Sequence, residues 1–188
     1  MADSSPLPAE SGLVLIGYRA SGKTTVGRHL AEKLGRSFID LDAEIERRAG
    51  RTIADIFEDE GEPAFRSLEE RVLREVCREH PGVVVATGGG AILRESNRCE
   101  LAKFGIIVWL SAPAEVLVRR LRLDAQQRPA LTAAGLVDEV PQILKEREPS
   151  YRELADVIVD CSARSPEDVA ELVVRMLRSP ELALKERR

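Results

Sequence analysis

The chain has 188 residues, 44% of them hydrophobic and 32% charged, with a formal net charge of -4. That length suits one domain, or one domain with an inserted lobe, with enough apolar residues for a core. The acidic balance argues against a global nucleic-acid-binding surface, and no apolar run approaches a membrane span.

Residues 1–12 are polar and carry Pro6 and Pro8, without the basic and apolar regions of a signal peptide. They read as a disordered leader. Leu13-Val14-Leu15-Ile16 reads as a first strand, followed by a helix over about 24–34 that Gly35 ends. Ser37 to Asp40 is a candidate second strand. A short helix, Ala43 to Ala49, is closed by Gly50. Thr52 suits a cap for Ile53 to Glu58, with Asp55 in the capping-box position. Gly61 breaks that helix, and Pro63 opens the next, which runs to about Glu79 before Pro81-Gly82.

Val83 to Thr87 is apolar on both faces, as a buried parallel strand is. After three glycines, Ser96 suits a cap for a helix to about Phe104, and Ile106 to Leu110 is the next strand. Ser111 and Pro113 start a helix that ends in Arg119, Arg120, Leu121 and Arg122. Residues 124–136 lack periodicity and read as a loop, with a helix over about 137–148 after it. Val157 to Val159 is the last strand. Ser165, Pro166 and Asp168 give a cap, a proline at the first position and a capping acid for a helix to about Arg178. Residues 179–188 form a charged tail. Five strands separated by helices predict a three-layer α/β/α domain over 13–178 with a parallel sheet.

The stretch Gly17-Tyr18-Arg19-Ala20-Ser21-Gly22-Lys23-Thr24 fits G-x-x-x-x-G-K-[ST] between a strand and a helix, the context of a phosphate-binding loop. Loop N–H groups and the helix N-terminus attract a polyphosphate, Lys23 reaches the β- and γ-phosphates, and the Thr24 hydroxyl suits Mg²⁺. In open parallel sheets, ligands sit beyond the carboxyl ends of the strands. Three more features fall there: Asp40 with Asp42, the run Gly88-Gly89-Gly90, and the loop after Val159. One aspartate suits the metal shell through water and the other a substrate hydroxyl, while N-capping by Asp42 is the plainer alternative. The glycines suit either a ligand's close approach or a tight turn.

Arginines are less specific. Arg66 has Glu69 and Glu70 at helical spacing, so an intrahelical ion pair competes with a ligand role. Arg128 stands in the proposed loop, and Arg147 and Arg152 flank Pro149-Ser150-Tyr151. Phe57 and Phe65 read as packing residues. The cysteines Cys77, Cys99 and Cys161 are scattered and odd in number. They make neither a metal spacing nor a disulfide framework, which points to a reducing, cytoplasmic setting.

Several ordered motifs together resemble the shikimate kinase family, within the nucleoside-monophosphate-kinase-like P-loop kinases. They are the loop at 17–24, Phe38-Ile39-Asp40-Leu41-Asp42, Ile56 to Glu62, Phe65-Arg66 with Glu69, and Thr87-Gly88-Gly89-Gly90. Arg128-Pro129 and Arg147 with Tyr151 and Ala155-Asp156 complete the set. The resemblance implies transfer of the ATP γ-phosphoryl to the 3-hydroxyl of shikimate, with Mg²⁺. It implies nucleotide contacts at Gly17, Ala20, Ser21, Gly22, Lys23, Thr24 and Thr25, and at Arg120 (or Arg119), Arg128 and Arg164. Asp42 would bind the acceptor hydroxyl and serve as the candidate base, and Asp40 would support the metal with Thr24. Arg66 and Arg147 would grip the carboxylate, and Gly88, Gly89 and Gly90 would line the pocket. The substrate-binding segment would span about 42–70 and a mobile lid about 124–136, with Arg128 reaching the phosphates.

Two segments, the lid and the phosphate loop, depart from the family's usual pattern. Ala130 stands where leucine is more frequent, which touches lid packing, and Arg19 and Thr24 replace common loop residues while keeping the metal-binding hydroxyl. A different small-molecule kinase, such as one for gluconate or a nucleoside monophosphate, and a non-catalytic nucleotide-binding regulator are the competing readings. No nucleic-acid or membrane partner is expected, and a monomer is the default.

Overall fold

The computed structural model of the chain describes residues 7–127 and 139–178, without the side chains of 124–127. Strand β1, Gly12–Ile16, is buried along its whole length. A strand covered on both faces must sit at the centre of a sheet, and the pairing puts it there. With β2 (Phe38–Asp40), β3 (Val84–Ala86), β4 (Gly105–Ser111) and β5 (Val157–Asp160) the order is β2-β3-β1-β4-β5. Every pairing is parallel, with Leu13 opposite Val84 on one side and Ile106 on the other.

Helices cover both faces. They are α1 (Lys23–Leu34), α2 (Leu41–Ala49), α3 (Ile53–Glu79), α4 (Glu95–Phe104), α5 (Ala114–Gln127), α6 (Val140–Leu154) and α7 (Pro166–Arg178). Successive strand residues face opposite ways. Leu13 and Leu15 therefore join a core with Val26 and Leu30 of α1 and Val169 and Val173 of α7. Val14 and Ile16 join a second core with Ile45, Phe65, Leu73, Leu101 and Tyr151. This is the three-layer arrangement that the strand and helix order predicts.

Local differences from the sequence reading have physical causes. The two helices expected on either side of Gly61 follow one another directly as α3, and Gly61 marks the kink with φ 77° and ψ 173°. Thr52 and Asp55 form the expected capping box. Helix α4 starts one residue before Ser96, with Arg94 at the cap and no side-chain cap bond. Arg94 spends its guanidinium on Glu70 and Ser67 instead. Helix α6 runs through Pro149 to Leu154, beyond the expected end at 148. An interior proline removes one helical hydrogen bond, and the wholly buried Tyr151 on the last turn keeps the helix seated.

Residues 7–11 are not the loose leader that their composition suggests. Leu7 is buried, and Arg36 donates to the carbonyls of Leu7, Pro8, Ser11 and Gly82. This clasp lies at the amino ends of β1, β2 and β3, away from their carboxyl ends. Arg36→Ala is expected to destabilise the fold by about 1–2 kcal/mol, because several carbonyls lose a charged donor. A urea midpoint that drops while substrate KM values hold would bear this out, and an unchanged midpoint would count against it.

Candidate active site

The carboxyl ends of β1, β2, β3 and β5 carry the four features that the sequence assigns to them. After Ile16 the chain turns through Gly17 (φ 142°), Ala20 (φ 62°) and Gly22 (φ 95°) before α1 begins. Gly22 is the residue before the helix, where a left-handed backbone suits only glycine at low cost. Ala20 holds the same region with a side chain, a strain found at ligand-binding loops.

Lys23 is almost fully buried and its Nζ donates to the carbonyls of Gly17 and Tyr18, each at 2.9 Å. Burial lowers its pKa from 10.5 to about 8, against the opposing fields of Asp42 and Asp40. Thr24 Oγ1 donates to Asp40 Oδ2 at 2.6 Å. A hydroxyl and a carboxylate so close are hard oxygen donors that suit Mg²⁺, so this pair fits the metal. Asp40 Oδ1 meanwhile accepts from the N–H groups of Asp42 and Ala43. The N-cap of α2 is therefore Asp40, not Asp42, because the helix begins at Leu41 rather than Ala43. Asp42 is left free of capping, and burial together with the neighbouring Asp40 raises its pKa. Thr25 is exposed at the start of α1, and Ser21 is buried with its hydroxyl unpaired.

The three glycines after β3 serve three neighbours. A Cβ at Gly88 would stand 2.7 Å from Asp42 Oδ1 and 3.2 Å from Glu69 Oε1. One at Gly89 would press on the phosphate loop, 3.3 Å from the Arg19 nitrogen. One at Gly90 would fall inside the Arg66 guanidinium, 2.6 Å from Nη1. Side chains beside Gly88 and Gly90 and backbone beside Gly89, rather than a ligand alone, thus explain the run.

Arg66 pairs with Glu69 at 2.8 Å and Glu62 at 3.0 Å, and it lies over the Phe65 ring. Glu70, the other expected partner, pairs with Arg74 and Arg94. Glu69 is a residue that the sequence names only as a partner, yet it is 1% exposed and one of its oxygens is unpaired. Burial raises its pKa, with Asp42 adding to the rise and Arg66 opposing it. Arg147 Nη1 donates to the Gly89 carbonyl at 3.2 Å, and its guanidinium lies 6.0 Å from the Tyr18 ring centre. Arg66 and Arg147 therefore converge on the glycine turn from α3 and α6.

On the far side of the phosphate loop, Arg120 donates to the Cys161 carbonyl at 2.6 Å, whereas Arg119 is exposed in a groove with Leu123 and Pro141. Of the two, Arg120 is the arginine beside the loop after β5. Cys161 lies between the carbonyls of Ser21 and Ser111, so that loop also touches the phosphate loop. Arg164 is exposed and donates to the Asp160 carbonyl. Helix α5 runs to Gln127, past the expected end at Arg122, so the first four residues of the expected loop are helical; Arg128 and the rest of the expected lid lie outside the described residues. Arg152, with its guanidinium 5.3 Å from the Trp109 ring centre and paired to Glu148, stands apart from the glycine turn.

A sequence profile for shikimate kinase matches residues 19–178. The chain is 48% identical over 164 residues to the shikimate kinase of Thermobifida fusca, covering 87% of this chain and 93% of that protein. It is 42% identical over 177 residues to that of Nitrosomonas europaea, covering 94% and 82%. Among solved structures, shikimate kinase from Acinetobacter baumannii in complex with shikimate aligns with a TM-score of 0.84 and 40% identity, over 96% of this chain and 97% of that one. A gluconokinase from Sinorhizobium meliloti aligns with a TM-score of 0.57 at 20% identity, over 95% and 97%, a likeness of fold.

Proposed function

The chain belongs to the shikimate kinase family, and on that premise we propose how its residues divide the transfer of the ATP γ-phosphoryl group to the 3-hydroxyl of shikimate. The observation that carries the assignment is the meeting of two unlike sites at the carboxyl end of the sheet. Lys23 and Thr24 face a phosphate-binding loop, while Asp42, Arg66 and Arg147 surround the glycine turn beside it.

Gly17, Ala20, Ser21, Gly22, Lys23, Thr24 and Thr25 line the phosphates, and backbone N–H groups at the start of α1 attract them. Lys23 leaves its two carbonyls to place charge on the β- and γ-oxygens. Thr24 and, through water, Asp40 would hold Mg²⁺, which when bound would neutralise phosphate charge. Arg120 and the loop from Cys161 through Arg164 flank the base. Arg128, from the lid over 124–136, adds charge to the phosphates. Arg66 and Arg147 take the shikimate carboxylate, for which the guanidinium fork is suited. Asp42 holds the reacting hydroxyl and accepts its proton as its oxygen bonds to the γ-phosphorus and the bond from that phosphorus to the ADP oxygen breaks, releasing ADP. Gly88, Gly89 and Gly90 keep the wall thin enough for the sugar-like ring to sit beside those groups.

This assigns 13–178 to one kinase domain, with the substrate-binding segment over 42–70. The described residues contain no helix long and apolar enough to cross a membrane. Cys77, Cys99 and Cys161 are free thiols, in keeping with a reducing cytoplasmic setting, and a monomer suffices for every role above.

The test is ADP release with Mg-ATP and shikimate, gluconate, AMP or no acceptor, repeated with Arg66→Ala. Turnover is expected only with shikimate. Arg66→Ala is expected to raise the shikimate KM about a hundredfold, as loss of a charged carboxylate partner does, with the ATP KM little changed. Turnover with another acceptor would overturn the substrate assignment, and equal loss of both substrates would make Arg66 structural.

A further inference from the structure

Two donors share one oxygen at the glycine turn. The Gly89 carbonyl accepts Arg147 Nη1 at 3.2 Å and the Tyr151 hydroxyl at 2.6 Å. Tyr151 follows Arg147 by four residues on α6, so both project from one face of that helix. The tyrosine is 0% exposed, and its ring stacks on Trp109 with centroids 5.7 Å apart. Its hydroxyl is therefore aimed at one acceptor. A side chain at Gly89 would press on the phosphate loop, 3.3 Å from the Arg19 backbone nitrogen, so this turn lies directly beside that loop.

A carboxylate bound by Arg147 competes for the same guanidinium that Gly89 uses. A partly buried carbonyl that loses its only donor is costly, whereas one that keeps a second, shorter bond is not. We propose that Tyr151 is a positioning residue for the acceptor: its hydroxyl holds the Gly89 carbonyl, so that Arg147 can turn from that oxygen to the shikimate carboxylate. Burial pushes the Tyr151 phenol up to about 12, so it remains a donor across the range in which the enzyme is assayed. The proposal rests on the reading of Arg147 as a carboxylate clamp.

The experiment is a double-mutant cycle on the full chain. Tyr151→Phe is expected to raise the shikimate KM about tenfold, with kcat and the ATP KM held within about twofold. In the Arg147→Ala background the same substitution should add little, since no guanidinium remains to be released. A KM for shikimate unchanged by Tyr151→Phe, equal rises for both substrates, or additive effects across the cycle would each overturn the proposal. If Arg147→Ala alone leaves the shikimate KM unchanged, the clamp reading falls and this proposal with it; a rise there with none in Tyr151→Phe removes this proposal alone. Should Tyr151→Phe melt below the assay temperature, Trp109→Phe decides the matter. It keeps the hydroxyl and loosens its seat, so a shikimate KM raised by about two- to threefold is expected, and an unchanged value overturns the proposal.

Discussion

Lys23→Met is expected to lower kcat by about a thousandfold or more, the scale seen when one donor to developing negative charge is removed. Lys23 is the one cation of the phosphate loop that is already desolvated, and its Nζ rests on the two carbonyls at the start of that loop. A charge already stripped of water acts on the phosphates without solvent having to rearrange. Methionine fills similar space, but the Gly17 and Tyr18 carbonyls lose a charged donor, so a modest fall in melting temperature is expected and the rate is read well below it. The pH profile adds a second check. Lys23 has a pKa lowered to about 8 by burial, so the charged form is lost as pH rises through that value. The kcat/KM for ATP, which reports the free enzyme, should therefore fall above about pH 8. Lys23→Arg, charged at every assay pH, should remove that alkaline fall even if its maximal rate is lower. A methionine variant within tenfold of the parent would sink the assignment.

Asp42→Asn is the second large effect, expected to reduce kcat by about 10²–10³ with a smaller change in shikimate KM. Asparagine keeps the shape over Gly88 and can still hydrogen-bond a hydroxyl, but it cannot take a proton. Burial, with Asp40 close by, raises the Asp42 pKa above the ordinary carboxylate value. The base form is present above that raised pKa and lost as pH falls through it. An acid limb above the usual carboxylate range should appear in the parent and vanish in the asparagine variant. If Asp42→Asn keeps the rate within about fivefold, Asp42 positions the hydroxyl and does not take its proton.

Much of this site is legible in the sequence because its parts are local. A strand, a glycine-punctuated loop, Lys23 and Thr24 fall within thirteen residues, and strand ends follow from apolar runs. Less legible is anything that depends on where a helix begins. Moving the start of α2 from Ala43 to Leu41 passes the cap to Asp40 and leaves Asp42 to the acceptor. Partners far apart in the chain are also hidden. Nothing near Arg36 announces that it gathers the carbonyls of residues 7–11, and nothing near Gly89 announces Tyr151. The Arg147-Tyr151 spacing is the one available signal for the latter. An interior proline disfavours a helix, yet α6 continues through Pro149 to the turn that carries the buried Tyr151.

The place of β1 in the sheet has a consequence for how the protein is made. Its partners are β3 and β4, which pair Leu13 with Val84 and with Ile106. At synthesis rates of about 5–20 residues per second, β4 leaves the ribosome roughly 5–20 seconds after β1. Through that interval a fully apolar strand and the loop that follows it lack one flank. Cys161, which anchors the same loop through the Ser21 carbonyl, comes later still. Nascent chains that stop before β4 therefore carry a sticky, unclosed nucleotide cradle, and the contacts that complete it are those of highest sequence separation, the slowest kind to form. The first functional segment to be translated is among the last to become functional.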